Sequence, residues 1–163
     1  MQMHFEKVKG NLISYLLKVR TYKFVLILFG FSVLLGAITT FLPEPEIEKP
    51  MVIEGLLNDI LFYVFLGPVV ETLVFQVLII EVIRKIIKRP KKNICLALLI
   101  SSMAFALSHT YSLSYVIFAF LGGFILALAY YFGIYRRENA FIMALLIHSL
   151  YNLSIVLYNY FFC

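Results

Sequence analysis

Residues 56–83 read LLNDILFYVFLGPVVETLVFQVLIIEVI, and this stretch decides what kind of fold the chain adopts. It is long enough to cross a bilayer, which takes about 20 apolar residues as a helix. Between Asp59 and Glu81 it holds a single charged side chain, Glu71. A carboxylate deep in lipid is costly, so it usually faces the interior of a bundle and serves a function. The stretch therefore predicts a membrane-spanning helix with a polar site near its centre.

The composition of the whole chain is that of a membrane protein. Of its 163 residues, 63% are hydrophobic and 14% are charged, and the mean hydropathy is +0.95. Soluble domains are closer to half apolar and a quarter charged. Apolar segments can be marked at residues 24–42, 56–83, 94–110, 115–134 and 140–161. We expect an all-α fold, a polytopic transmembrane helical bundle with about five spans.

The basic residues predict the orientation of this bundle and its partners. The net charge is +5, but nearly all of the 14 Lys and Arg residues lie in the amino-terminal arm, at 84–92 or at Arg136-Arg137. These groups flank apolar segments, as the positive-inside rule expects. They predict anionic lipid head groups as partners rather than nucleic acid. Residues 1–23 are then a cytoplasmic amphipathic arm with an interfacial helix. Residues 24–162 form one bundle, with the amino terminus inside and the carboxyl terminus outside.

Polar side chains recur within three of the apolar segments and predict one shared site. His148 and Asn152 stand four residues apart, so they face the same side of a helix. A carboxylate, two imidazoles and an amide are the groups that activate a water and stabilise an oxyanion. We therefore expect hydrolysis inside the membrane. The candidate residues are Glu71, Thr72, Gln76, Phe105, His109, His148 and Asn152.

Local spacing within residues 56–83 predicts how Glu71 is presented. Pro68 removes a helical hydrogen bond and clashes with the carbonyl four residues earlier, that of Val64, which predicts a kink one turn before Glu71. Thr72 and Gln76 also stand four residues apart, and we expect them to form a hydrogen bond that supports this helix face.

Straight, upright helices would not bring the two histidines together. Counted from the cytoplasmic helix ends, His109 lies about 25 Å up its helix and His148 about 14 Å up its own. A shared site therefore requires tilt, a kink at Pro68 or a shallow third helix.

The order and spacing of these residues resemble a known family. Three motifs, E-x4-[R/Q], F-x3-H and H-x3-N, begin at Glu71, Phe105 and His148 and resemble those of the CPBP family. This family comprises the CAAX proteases and the bacteriocin-processing proteins, also called Abi or self-immunity proteins. The resemblance covers residues 56–152, the motif core. It implies an intramembrane endopeptidase of a bacterial cytoplasmic membrane that acts on a membrane-embedded or lipidated peptide.

The resemblance also implies roles for individual residues. Glu71 and His109 would activate the water, while His148 and Asn152 would hold the oxyanion. Thr72 and Gln76 stand where the family has a second Glu and an Arg. This neutral pair supports an alternative function, that of a non-catalytic self-immunity or peptide- or lipid-binding protein of the same family.

The number of carboxylates bears on whether a metal takes part. A zinc hydrolase uses three protein ligands and a separate acid or base. If Glu71, His109 and His148 all bound zinc, no carboxylate would remain nearby as the base. We therefore favour no cofactor and a water activated directly by Glu71, with zinc on these three residues as the alternative. Haem held by the two histidines and proton-coupled transport are further alternatives.

Overall fold

The computed structural model describes residues 12–39, 55–87 and 90–162, and in this part of the chain all regular secondary structure is helical, with no strand. The all-α fold is thereby confirmed. Predictions for residues 1–11, 40–54, 88–89 and 163, which include the end of the apolar segment 24–42, lie outside the described residues. The helices are α1 Leu12–Lys18, α2 Thr21–Thr39, α3 Leu56–Ile86, α4 Pro90–Leu107, α5 Leu113–Arg136 and α6 Ala140–Phe162.

Four of these helices, α2, α3, α5 and α6, are long and apolar enough to cross a membrane. The remaining predicted span corresponds to α4, whose apolar part is the shorter stretch Ile94–Leu107. A helix shorter than the hydrocarbon thickness is accommodated by thinned lipid or by its neighbours. The structure is thus a polytopic bundle of four long spans, with α4 as the short segment that the sequence predicts.

Helix α3, which carries Glu71, is not a regular α-helix. It is π-helical over Ile60–Leu66 and again over Thr72–Leu78. A short α-helical turn, Gly67–Glu71, lies between the two. Single π-turns are uncommon and occur frequently at functional sites. The polar residues of α3 therefore lie at a change of helical register.

The first π-helical segment is where the chain accommodates Pro68. The backbone N–H of Gly67 donates to the carbonyl of Phe62, five residues earlier, as in a π-helix. The sequence predicts that Pro68 would clash with the Val64 carbonyl in an α-helical register. The wider π-helical turn that precedes Pro68 relieves this clash, so the irregularity takes the form of a register change.

Helix α5 lies at the centre of the bundle, where it packs against α2, α4 and α6. Small residues on its buried face allow this close approach, since they let helix backbones come together in a membrane. They are Ala119, Gly123, Ala127, Ala129 and Gly133. At Gly133 the next helix is so near that an added Cβ would lie 2.5 Å from the Cα of Ala140.

The short helix α1 is tied to the bundle by Arg136, at the end of α5. The guanidinium donates hydrogen bonds to the carbonyls of Leu16 and Val19 and contacts Glu138 at 2.9 Å. It also lies over the Phe24 ring, 5.0 Å from the centroid. The Arg136 side chain is only 4% exposed. It therefore anchors α1, whereas Arg137 beside it is exposed. Lipid head groups as partners of the basic residues stay a prediction.

Replacing Gly133 by alanine is expected to destabilise the bundle, because the new methyl group would overlap the Ala140 backbone. Overpacking of this kind costs about 1–3 kcal/mol, which lowers the thermal midpoint by several degrees in a chain of this size. Gly30→Ala is the matched control, since an added Cβ there meets nothing within 4 Å. Thermal unfolding in detergent measures both, and equal midpoints would contradict the packing described at Gly133.

Candidate active site

Glu71 ends the α-helical turn of α3 and lies between two histidines. Its Oε2 atom is 3.5 Å from Nε2 of His148 and 3.8 Å from Nε2 of His109. The structure thus brings together three side chains that the sequence predicts to share a site. The Glu71 side chain remains 30% exposed, so the carboxylate is reachable from outside the bundle.

His109 reaches this site because it does not belong to a helix. Helix α4 ends at Leu107, and the backbone N–H of His109 donates to the Ala106 carbonyl at 3.0 Å in the turn that follows. The imidazole packs back on the Phe105 ring, with centroids 4.5 Å apart. Both imidazoles lie within 3.8 Å of the same Glu71 oxygen, so the difference in height expected for straight, upright helices is absent.

The hydrogen bonds of His109 define its tautomer. Its Nδ1 lies 2.8 Å from the carbonyl oxygen of Phe105 and 2.9 Å from Oγ of Ser108. A carbonyl only accepts, so Nδ1 carries the proton and donates. In the neutral imidazole, Nε2 then presents a lone pair toward Glu71. A carboxylate and a lone pair face each other favourably when a water donates a hydrogen to each, or when either group is itself protonated.

His148 is held on its opposite ring nitrogen by Thr72. The Thr72 hydroxyl lies 3.4 Å from Nδ1 of His148, and both side chains are buried. A hydroxyl can donate as well as accept. When Thr72 donates to Nδ1, the proton of the neutral imidazole lies on Nε2, which then donates toward Glu71. Because Thr72 directly follows Glu71, one helical turn supplies both contacts to His148.

The predicted hydrogen bond between Thr72 and Gln76 is wrong. Gln76 is fully buried, and neither its Nε2 nor its Oε1 has a hydrogen-bond partner among the described residues. The segment Thr72–Leu78 is π-helical, so residues four apart no longer lie one above the other. Thr72 pairs with His148 instead.

Phe105 packs against both histidines. Its ring centroid lies 4.5 Å from that of His109 and 5.7 Å from that of His148. Gly123 of α5 leaves room for this ring, since an added Cβ there would lie 3.0 Å from Phe105 Cδ1. Nothing lies within 4 Å of a Cβ at the adjacent Gly122. Phe105 therefore supports the site through its ring as well as through its carbonyl.

Asn152 lies one turn beyond His148 on α6, as the spacing predicts, and it contacts the backbone of α3. Its Nδ2 donates to the carbonyl of Tyr63 at 2.8 Å. An amide carries two N–H donors, so this bond uses one of them.

Two contributors to the site are missing from the sequence-based prediction. Tyr115, in the first turn of α5, stacks on His109 with centroids 6.0 Å apart. Its position at the edge of an apolar segment, just after the His109 turn, was an available signal. Tyr63 contributes only its carbonyl, which every residue has, so no side-chain pattern could have revealed it.

The described residues also bear on the zinc hypothesis. Among them, no group of three or more His, Cys, Asp or Glu side chains is arranged to hold a metal ion. Zinc on Glu71, His109 and His148 stays a prediction, and the mechanism proposed for the site uses no metal.

A membrane bundle that gathers a carboxylate and two imidazoles from separate segments defines a candidate intramembrane hydrolase. A family model described as Rce1-like, type II CAAX prenyl endopeptidase Rce1-like, matches residues 53–154, more than half of the chain. The chain therefore belongs to this family of CAAX intramembrane proteases, within the CPBP group. No curated protein and no solved structure matches the chain. The matched range includes Glu71, His109, His148 and Asn152.

The neighbouring glycines of α5 allow a matched test of the Phe105 support. Gly123→Ala is expected to push the Phe105 ring toward the histidines, because the new Cβ would lie 3.0 Å from it. A misplacement of about 1 Å in an active site can lower a rate by roughly 100-fold, so a smaller shift of the two imidazoles should lower it by less. Gly122→Ala is expected to leave the rate unchanged. Cleavage of a prenylated CAAX peptide by both purified variants measures the difference, and similar rates would argue against Phe105 as a support.

Proposed function

We propose that the protein is an intramembrane endopeptidase that cleaves a lipid-modified protein tail with a water activated by Glu71. One observation carries this proposal, namely a single carboxylate oxygen that faces Nε2 of both His109 and His148. Membership of a CAAX endopeptidase family supports the reaction class.

The protonation of His109 supports a bridging water as the nucleophile. With its proton on Nδ1, His109 offers a lone pair at Nε2, and Glu71 offers a second acceptor 3.8 Å away. A water between them donates one hydrogen to each. As the water oxygen bonds to the scissile carbonyl carbon, Glu71 takes the proton. It then passes this proton to the leaving amine nitrogen as the C–N bond breaks, which is general base and then general acid catalysis.

His148 is suited to stabilise the oxyanion that forms on the carbonyl oxygen. Its Nε2 carries a proton when Thr72 donates to Nδ1, and buried donors of this kind stabilise developing negative charge. A hydroxyl at residue 72 can donate in this way, whereas an ionised carboxylate can only accept. The Thr72 substitution is therefore compatible with activity. The second N–H of Asn152 is the other proposed donor.

The surroundings of Glu71 favour an apolar substrate. Its neighbours on α3 include Val70, Leu73 and Val74, which are 59%, 45% and 41% exposed. Apolar side chains exposed on a membrane span face lipid tails or the chain of a lipidated peptide. The basic residues next to the spans support the orientation predicted above, with the amino terminus in the cytoplasm.

Removing the base is expected to abolish most of the activity. Glu71→Gln keeps the shape of the side chain but cannot take a proton from water, so cleavage should fall by roughly 10²–10⁴-fold. Glu81→Gln is the matched control, because Glu81 pairs with Arg84 at 2.6 Å elsewhere on α3. Both variants are incubated with a prenylated CAAX peptide, and the products are measured by mass spectrometry.

Equal cleavage by the Glu71→Gln and Glu81→Gln variants would refute Glu71 as the base. Binding of the peptide without cleavage by the wild-type protein would instead support the alternative function, a non-catalytic self-immunity or peptide-binding protein.

Removing the partner of His148 tests the role of Thr72. Thr72→Val preserves the side-chain shape but deletes the hydroxyl that contacts Nδ1. A lost hydrogen bond of about 1–1.5 kcal/mol corresponds to about a tenfold lower kcat. Thr72→Ser retains the hydroxyl and should keep most of the activity. The two variants are compared by steady-state kinetics, and an unchanged kcat for Thr72→Val would count against this orienting role.

A further inference from the structure

Pro68 leaves one carbonyl of α3 without a donor from its own helix. The Gly67 N–H donates to Phe62, five residues earlier, which sets the π-helical register at this point. One residue further along the helix, the same π-helical register would pair the N–H of residue 68 with the carbonyl of Tyr63. Proline has no N–H. The Tyr63 carbonyl therefore loses the partner that this register would provide.

Asn152 supplies that missing donor from another helix. Its Nδ2 lies 2.8 Å from the Tyr63 oxygen. In a membrane an unpaired backbone carbonyl is costly, and groups freed by proline are satisfied by neighbouring helices or side chains. We propose that Asn152 is a positioning residue whose amide replaces the N–H that Pro68 lacks, and thereby sets the turn that carries Glu71. The positioning of Glu71 for catalysis rests on the proposed function, whereas the pairing with Pro68 does not.

The arrangement of α3 and α6 explains how this bond would position the carboxylate. Asn152 and His148 lie one turn apart on α6, and they contact α3 at the Tyr63 carbonyl and at Glu71 respectively. Pro68 lies between these two contacts in α3. Two contacts along one face fix both the rotation and the height of one helix against another.

The turn between the two contacts has little free space. A Cβ added at Gly67 would lie 3.0 Å from the Phe62 carbonyl and 3.9 Å from Oε1 of Glu71. Tyr63 and Glu71 also belong to one continuous helix, so a shift of the backbone at Tyr63 would move the turn that carries the carboxylate. Asn152 controls this backbone although its amide bonds a residue eight positions before Glu71.

A double-mutant cycle on the full chain tests the pairing. Asn152→Ala is expected to lower the thermal midpoint in detergent by about 5 °C, since it leaves the Tyr63 carbonyl unpaired. Pro68→Ala restores a backbone N–H at residue 68. The Tyr63 carbonyl then has a donor from its own helix in either register, the N–H of residue 67 in an α-helix or that of residue 68 in a π-helix. In the Pro68→Ala background, Asn152→Ala should therefore lower the midpoint by less than about 2 °C. Pro90→Ala serves as the control background, because Pro90 begins α4, where the N–H has no helical partner.

A second readout follows the position of Glu71 without requiring activity. The side-chain ¹⁵N chemical shifts of His148 report the hydrogen bonds at both ring nitrogens. They should change in Asn152→Ala and return toward wild type when Pro68→Ala is added. The proposal would be overturned if Asn152→Ala lowered the thermal midpoint equally in the wild-type and Pro68→Ala backgrounds. It would also be overturned if Asn152→Ala left the ¹⁵N chemical shifts of His148 unchanged. Failure of peptide cleavage by the wild type would refute only the proposed function, since neither readout depends on catalysis.

Discussion

A carboxylate within a membrane span must find hydrogen-bond partners on other segments, and this requirement organises the bundle around Glu71. Its Oε2 atom faces imidazole nitrogens from α6 and from the turn after α4. Each imidazole is in turn held on its other nitrogen, His109 by the Phe105 carbonyl and His148 by Thr72. The polar groups thus form a connected set, which is the arrangement that low-dielectric surroundings require.

The sequence was sufficient to predict the fold class and that three of the candidate side chains meet, because both follow from the free-energy cost of placing polar groups in lipid. Long apolar segments predict membrane helices, and rare polar groups within them predict a shared interior site. Glu71, His109 and His148 do meet. Straight, upright helices would have kept the two histidines apart, so a shared site required a departure from that geometry. The contacts of both imidazoles with Glu71 show that the gap is closed. Helix α4 ends two residues before His109, and the imidazole folds back on Phe105.

Backbone register was the part that side-chain patterns could not reveal. The expected pair of Thr72 and Gln76 assumed an α-helix, whereas this segment is π-helical. The other π-helical segment, Ile60–Leu66, pairs the Gly67 N–H with the Phe62 carbonyl and leaves the Tyr63 carbonyl to Asn152. Such contacts involve main-chain atoms, which are the same for every residue type. They are therefore visible only once the path of the backbone is known.

In the proposed mechanism, a water held by Glu71 and His109 attacks the peptide bond directly. A single-turnover cleavage of a prenylated CAAX peptide in water enriched in the heavy isotope of oxygen tests this most directly. Direct attack by water should leave one heavy oxygen in the new carboxyl group of the product and none in Glu71, as read by mass spectrometry of both. Heavy oxygen in the Glu71 side chain would reveal a covalent acyl intermediate and contradict direct attack by water.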